Sequence, residues 1–303
     1  MKSGVFRAMA KMCSLNKGRT SEHIALFFMH TFLTLCKVLP LSSARKVGAL
    51  MANLVYRFSG RARLVTERNL QLVFPNMTDL QNRNLCREIF QEKGKLAAEM
   101  GHIWMKPWLK IQNIVETQNI EFVSDSLKSG HGVIVLVPHL GNWEVMGLYL
   151  ATLGDLVALY KPLRFKEIDH FVYESRQRTG AKLVPADTRG VAKILRSIRS
   201  GGITAILPDQ VPDHDNAGMN VPFFGIECST ATLAYNLTKR SDAKVVAGAA
   251  LRTDGGFRLV FSELGAPIYG EDPREALKTI NAAVECLIVG NEAQYQWEYK
   301  RFK

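Results

Sequence analysis

The stretch from Gly132 to Glu144, GVIVLVPHLGNWE, limits what this chain can fold into more than any other. Val133, Ile134, Val135 and Val137 are β-branched, and no charge interrupts the run before it stops at Pro138 and His139. Such a run describes a strand buried on both faces, as in a parallel sheet. From Asn142 the apolar spacing turns helical through Trp143, Val145, Met146, Leu148, Leu150 and Leu153, until Gly154 stops it. His139 therefore belongs at the carboxyl edge of a strand. Glu144 falls in the first two turns of the following helix, where its carboxylate can fold back toward the imidazole. An imidazole bonded to a carboxylate is fixed in one tautomer and is a better base, which is what taking a proton from a hydroxyl needs. A helix N-terminus alongside favours developing negative charge. The competing reading makes His139 a capped core histidine and Glu144 a partner of the helix dipole, since structural pairs perturb titration too.

After Pro107 the pattern alternates: helical over 120–129, strand 132–137, helix 142–153, strand 156–160, helix 165–179, short strand 182–184, helix 189–200 and strand 203–207. This order predicts an α/β fold, a mostly parallel central sheet flanked by helices, with ligands bound off the carboxyl ends of the strands. His139, Lys161 and Asp209 all fall at such ends. Residues 211–228 read as loop, 231–239 as helix, 244–251 and 257–264 as paired strands, and 273–289 as a C-terminal helix. Upstream, 42–58 and 78–106 read as helices, the second begun by Thr78-Asp79, with Asn69-Leu70 and Phe74-Pro75 on the connector. Three parts are expected: 1–40, a basic N-terminus with a membrane-anchor helix; 41–110, a helical region packed on the core; and 111–303, the α/β core.

Over 303 residues the net charge is +11 and the isoelectric point near 9.5, so the favoured partners are anionic. No zinc-finger spacing, aromatic RNA-binding motif or basic zipper supports nucleic acid. Lys2, Arg7, Lys11, Lys17 and Arg19 instead precede the apolar run from Ile24 to Cys36 (IALFFMHTFLTLC), with Lys37, Arg45 and Lys46 after it, a layout that suits an anionic lipid surface. The run is short for a span, which needs about 20 apolar residues. A monotopic anchor helix is the first reading, a short tilted span the second and an internal helix the third. The cysteines Cys13, Cys36, Cys86, Cys228 and Cys286 are odd in number and without CxxC spacing, which points to free thiols and a cytoplasmic catalytic face. GxSxG, Walker, Rossmann and HExxH motifs are absent, so covalent serine catalysis and nucleotide use lack support. Asp209, Asp213, His214 and Asp215 lack metal-loop spacing and read as a solvated acidic loop.

HLGNWE fits the H-x4-D/E pattern of glycerolipid-type acyltransferases, and VPHLGNWE resembles the version in the late acyltransferases of bacterial lipid A synthesis. The resemblance continues through RARLVTERNLQLVFPN (61–76), YKP (160–162), TRGVAKILRSIRSGG (188–202), LPDQ (207–210), VPFFG (221–225) and QWEYKRF (296–302), in matching order over nearly the whole chain. It implies an acyl carrier protein thioester as donor and a Kdo-lipid A precursor as acceptor, acylated on the hydroxyl of a 3-hydroxyacyl chain. The implied setting is the cytoplasmic face of the inner membrane, among anionic lipids, with no cofactor, no metal and no covalent acyl-enzyme. His139 is the implied general base, with Glu144 orienting it. Arg189 is the candidate for a phosphate of acceptor or donor. Lys161 stands where many relatives have Arg and lacks the planar fork for bidentate contact. Asp209 holds Arg189 or the acceptor sugar, or caps its turn, and Asn142 joins the substrate-binding candidates. Arg68 and Glu99 fall where the family commonly carries charge, and a solvated helix face is the reading for both. Tyr299 replaces the family's usual histidine, so no role for that histidine carries over, and Trp297 and Phe302 are expected to pack the last turn. Two alternatives stay open: acylation of another bacterial glycolipid or phospholipid, and a catalytically silent basic protein that binds membrane lipid.

Overall fold

The computed structural model describes residues 26–212 and 217–302. Five strands, β1 (Val115–Gln118), β2 (Val133–Leu136), β5 (Ile203–Ile206), β8 (Lys244–Arg252) and β9 (Phe257–Glu263), form a sheet in the order β1-β9-β8-β2-β5. All neighbours in it run parallel except β8 with β9. The parallel pair β3 (Val157–Tyr160) and β4 (Lys182–Pro185) continues the sheet beyond β5 through the Leu156–Ile203 bridge. The hydroxyl of Thr204 secures that seam by donating to the Val157 carbonyl at 2.8 Å.

Strand β2 is buried along its whole length, as its sequence requires. Side chains alternate across a strand, so Val133 and Val135 enter one core with α7 (Trp143–Leu153), while Ile134 and Leu136 enter a second. That second core is shared with α9 (Thr188–Arg199), α10 (Leu233–Thr238) and α11 (Pro273–Ile288). The helices α6 (Glu121–Lys128) and α8 (Lys166–Gln177) complete the α/β part. Ahead of it lie α1 (residues 26–38), α2 (Leu41–Phe58), α3 (Gly60–Val73), α4 (Asp79–Ile103) and α5 (Trp108–Gln112). Thr78 starts α4 with a capping box, its side chain bonded to the Gln81 amide and the Gln81 side chain to the Thr78 amide. Helices α2 and α4 cross at Gly48 and Gly94, where a Cβ on either would stand 2.2 Å from the other's carbonyl oxygen. Only glycine permits that approach.

Two stretches depart from expectation. Asn69 and Leu70 lie within α3 rather than on a connector. The buried side of that helix carries Thr66 and Asn69, which blur the apolar period. Burial is tolerated because Asn69 donates to the carbonyls of Trp297 and Tyr299, each at 2.8 Å. The expected loop 211–228 contains most of a hairpin, β6 (Gly218–Phe223) and β7 (Ile226–Ala231), turning at Phe224 and Gly225, both with positive φ. Pro222 argues against a strand in a sequence, but here it sits in a two-stranded ribbon.

Helix α1 buries Leu33 and Cys36, the latter beside Ala44 and Ala98, and leaves Phe27, Phe28, Leu35 and Val38 exposed. Among the described residues no helix is long and apolar enough to cross a membrane.

Glu99 corrects the expectation of a solvated face: it is fully buried in α4. Arg45 of α2 donates to it at 2.7 Å, Arg252 at the end of β8 at 2.8 Å and 2.9 Å, and the Asn142 amide at 2.7 Å. Arg45 also reaches the Gly256 carbonyl and Arg252 the Gly141 carbonyl. One carboxylate thus ties two helices to the sheet and to the loop after β2. Removing one member of a buried ion pair typically costs about 3–5 kcal/mol, because the remaining charge stays buried without a partner. Glu99→Ala is therefore expected to lose stability on that scale in urea unfolding. A loss below about 1 kcal/mol, the range of exposed pairs, would show that water or other groups take over its role.

Candidate active site

The site grows from strand register. Leu136 of β2 lies opposite Ile206 of β5, so His139 and Asp209, each three residues further on, leave the sheet level with one another. The Asp209 carboxylate accepts from the His139 backbone amide at 2.8 Å and lies 2.9 Å from its Nδ1. Burial alone would raise the Asp209 carboxyl, but the imidazole and its two hydrogen bonds, with the Arg301 charge behind, hold it below the usual range. An ionised Asp209 only accepts, so Nδ1 carries the proton and Nε2 presents its lone pair. The Gln210 side-chain nitrogen stands 3.2 Å from Nε2, in place to donate to it. Trp143 packs edge-on to the ring at 5.0 Å between centroids. Behind Asp209, burial and then the Asp209 charge push the Tyr295 phenol well above its ordinary range.

Glu144 does not meet the imidazole, which corrects the expected pairing. Its carboxylate accepts from Arg176 Nε at 3.1 Å and 3.0 Å, again from Arg176 Nη2, and from Trp104 Nε1 at 3.3 Å. Asp209, the lateral neighbour past the end of β5, captures His139, and Glu144 at the start of α7 turns to α8 and the end of α4. Asn142 is likewise engaged inside the protein: its oxygen caps α7 by accepting from the Val145 amide at 3.3 Å and its nitrogen donates to Glu99. Its side chain is fully buried and fixes the loop. Gly141, at φ 62°, brings that loop against β8, where a Cβ would lie 2.1 Å from the Ala250 carbonyl oxygen.

His139 opens into a cavity of about 570 Å³ whose body is apolar, with Val137, Leu148, Leu156, Ala158, Leu183 and Ala205 among its walls. Glu144 and Arg176 line it as well, and Lys161 and Gln210 stand with His139 at the strand ends. Arg189 is not part of the lining. It is exposed at the start of α9 and is not held by Asp209. Arg68 is exposed on α3. Tyr299 hydrogen-bonds through its hydroxyl to the Val211 amide at 3.1 Å and so clamps the chain just after Asp209 and Gln210. Trp297 is buried against Phe74, Phe224 and Tyr295, and Phe302 stacks on Phe223. Arg176 carries no local signal in the sequence, because only the packing of α8 brings it to Glu144. Gln210 was visible as the last residue of LPDQ. Among the described residues no group of three acidic, histidine or cysteine side chains is placed to hold a metal; Asp213, His214 and Asp215 lie outside the described residues.

The depressed Asp209 carboxyl sets an acid dependence of stability. A group whose folded pKa lies below its unfolded value stabilises above the unfolded value, here about 3.8, and loses that contribution as pH falls through the folded one. Melting temperatures of Asp209→Asn are expected to fall less steeply than those of the wild type below about pH 4, even though the variant is less stable at neutral pH. Parallel curves would mean that Asp209 takes up its proton over the same pH range folded and unfolded, so that its surroundings do not favour the carboxylate.

The family model for bacterial lipid A biosynthesis acyltransferases matches residues 15–303. The chain is 25% identical over 273 residues to a lipid A biosynthesis lauroyltransferase of Escherichia coli K12, covering 88% of this chain and 87% of the relative. It is 26% identical over 257 residues to a lipid A biosynthesis myristoyltransferase of the same organism, covering 82% and 78%. A palmitoleoyltransferase of that organism is 24% identical over 252 residues, covering 81% and 80%. A match that spans the α/β core, the His139 loop and the C-terminal segment makes this chain a member of the bacterial lipid A biosynthesis acyltransferase family.

Proposed function

We propose that this acyltransferase moves a fatty acyl chain from an acyl carrier protein thioester to the hydroxyl of a 3-hydroxyacyl chain on a Kdo-lipid A precursor. The observation that carries the reading is His139, which lines a mainly apolar cavity of about 570 Å³ while Asp209 holds its Nδ1. With the acyl tail in the cavity, the thioester carbonyl lies near the imidazole and the N-terminus of α7. His139 takes the proton of the acceptor hydroxyl as its oxygen attacks the carbonyl, the C–S bond breaks, and the imidazolium returns the proton to the leaving thiolate. No serine, threonine or cysteine lines the cavity among the described residues, which supports direct transfer without an acyl-enzyme. The thioester carries the activation, so the step calls for no cofactor. Lys161 at the mouth offers a point charge to an acceptor phosphate. The three relatives are named for lauroyl, myristoyl and palmitoleoyl transfer at similar identity, so chain length is left to the cavity.

An inner-membrane setting, facing the cytoplasm and anionic lipid, is part of the same proposal. Residues 26–66 contain no Asp or Glu but include Lys37, Lys46, Arg57 and Arg61. The same segment exposes Phe27, Phe28, Leu50, Leu54 and Phe58. Apolar insertion beside basic residues makes a monotopic attachment. The protein is expected to stay with membranes through high salt and to leave them in detergent. Quantitative release by salt alone would reduce the attachment to charge.

Loss of a positioned base costs about 100- to 10,000-fold in rate. His139→Ala is expected to show that loss with the fold intact by circular dichroism. Asp209→Asn should lose much of the same activity, and the double variant should fall little below His139→Ala, since the pair acts as one unit. If Glu144→Gln instead reproduces the loss and Asp209→Asn leaves turnover near normal, Glu144 is the working partner and must exchange Arg176 for the imidazole during the cycle. Near-normal turnover by folded His139→Ala would remove the base from the mechanism.

A further inference from the structure

Helix α9 exposes Arg189, Lys193, Arg196 and Arg199. At helical spacing they form one stripe about 15 Å long. The opposite side, Val191, Ile194, Leu195 and Ile198, packs on the sheet. The helix holds no acidic residue, and among the described residues no carboxylate pairs with Arg189, Lys193 or Arg196. Its N-cap, Asp187, is bonded to the Gly190 amide at 2.8 Å. Asp155 near its last turn is paired with Lys182. Arg199 donates to the Arg240 carbonyl at 2.8 Å, and Lys239 beyond it is paired with Glu271. Like charges three and four residues apart weaken a helix, and an acidic partner lying along the stripe relieves that repulsion.

Location narrows the partner. Helix α9 begins just past the carboxyl end of β4, on the side of the sheet where Lys161 and Leu207 line the cavity mouth. It packs on the face that receives Ile134 and Leu136, whereas Leu33 of α1 and Met100 of α4 pack on the face that receives Val133 and Val135. The exposed Phe27, Phe28, Leu50, Leu54 and Phe58 belong to α1 and α2, and none of the large exposed apolar side chains lies on α9. A bilayer-binding face mixes apolar and basic groups. A stripe that is basic alone suits a soluble acidic protein.

The geometry points to α9 as the docking surface for the acidic carrier protein that delivers the acyl thioester, an inference that rests on the donor class proposed above. A partner bound along the stripe meets the Arg189 end at the carboxyl edge of the sheet, where the cavity opens, so its thioester arm enters toward His139 from that end without crossing the apolar layer of α1 and α2.

The test compares two donors on Lys193→Glu/Arg196→Glu: the acyl carrier protein thioester, and an acyl-pantetheine thioester that lacks the protein. The KM for the carrier-protein donor is expected to rise about ten-fold or more, with kcat and acyl-pantetheine turnover unchanged. Added salt should raise the wild-type KM for the carrier-protein donor and close the gap to the variant, because exposed charges are screened beyond about 10 Å at 0.1 M. An unchanged KM for the carrier-protein donor, or equal losses with both donors, overturns the inference. So does weaker sedimentation of the variant with phosphatidylglycerol vesicles, which would make the stripe a lipid surface. If the wild type uses acyl-pantetheine but not the carrier-protein thioester, the donor assignment itself fails, whatever the variant does.

Discussion

The arrangement depends on one buried carboxylate. Glu99 has no access to water and receives Arg45, Arg252 and Asn142 from three separate parts of the chain. Burying a charge is costly unless every lone pair is answered, and here the answers come from a helix, a strand end and the loop after β2. Because Asn142 also caps α7, the loop that carries His139 is fixed from below by the helical layer. The Gly48–Gly94 crossing is part of the same construction, since α2 must lie close to α4 for Arg45 to reach Glu99.

Two further charge pairs then divide the work around the cavity. Asp209 meets His139 across neighbouring parallel strands, and Glu144 meets Arg176 across two helices. The first pair orients a group that can move a proton. The second neutralises a charge that an apolar channel would otherwise have to bury. Tyr299 and Trp297, near the chain's end, hold the far side: one clamps Val211, and the other fills the space between Phe74 and Phe224.

The surface is divided as well. The exposed apolar side chains cluster on α1 and α2, which lack acidic residues, while α9, on the other face of the sheet, is basic without being apolar. The net charge of +11 is thus displayed in two settings, beside exposed apolar groups on α1 and α2 and without them on α9, with the sheet between.

Local chemistry was enough to mark β2, the helix after it and the placing of His139, Lys161 and Asp209 at strand ends, because a β-branched run ended by proline and a helical apolar period each show within a dozen residues. The packing of Trp297 and the start of a helix at Thr78-Asp79 were legible as well. Asn69 in α3 and Pro222 in the hairpin were not, since Asn69 is buried only by donating to carbonyls distant in sequence and Pro222 is tolerated only because its strand has a single neighbour. Above all, the partner of His139 was undecidable from spacing. Glu144 is near in sequence and Asp209 is 70 residues away, yet strand register makes Asp209 the neighbour while Arg176 draws Glu144 aside. Sequence by itself determined which residues sit at the carboxyl edge of the sheet; which carboxylate reaches the imidazole was decided only when the strands paired and the helices packed, because hydrogen bonds form between neighbours in space.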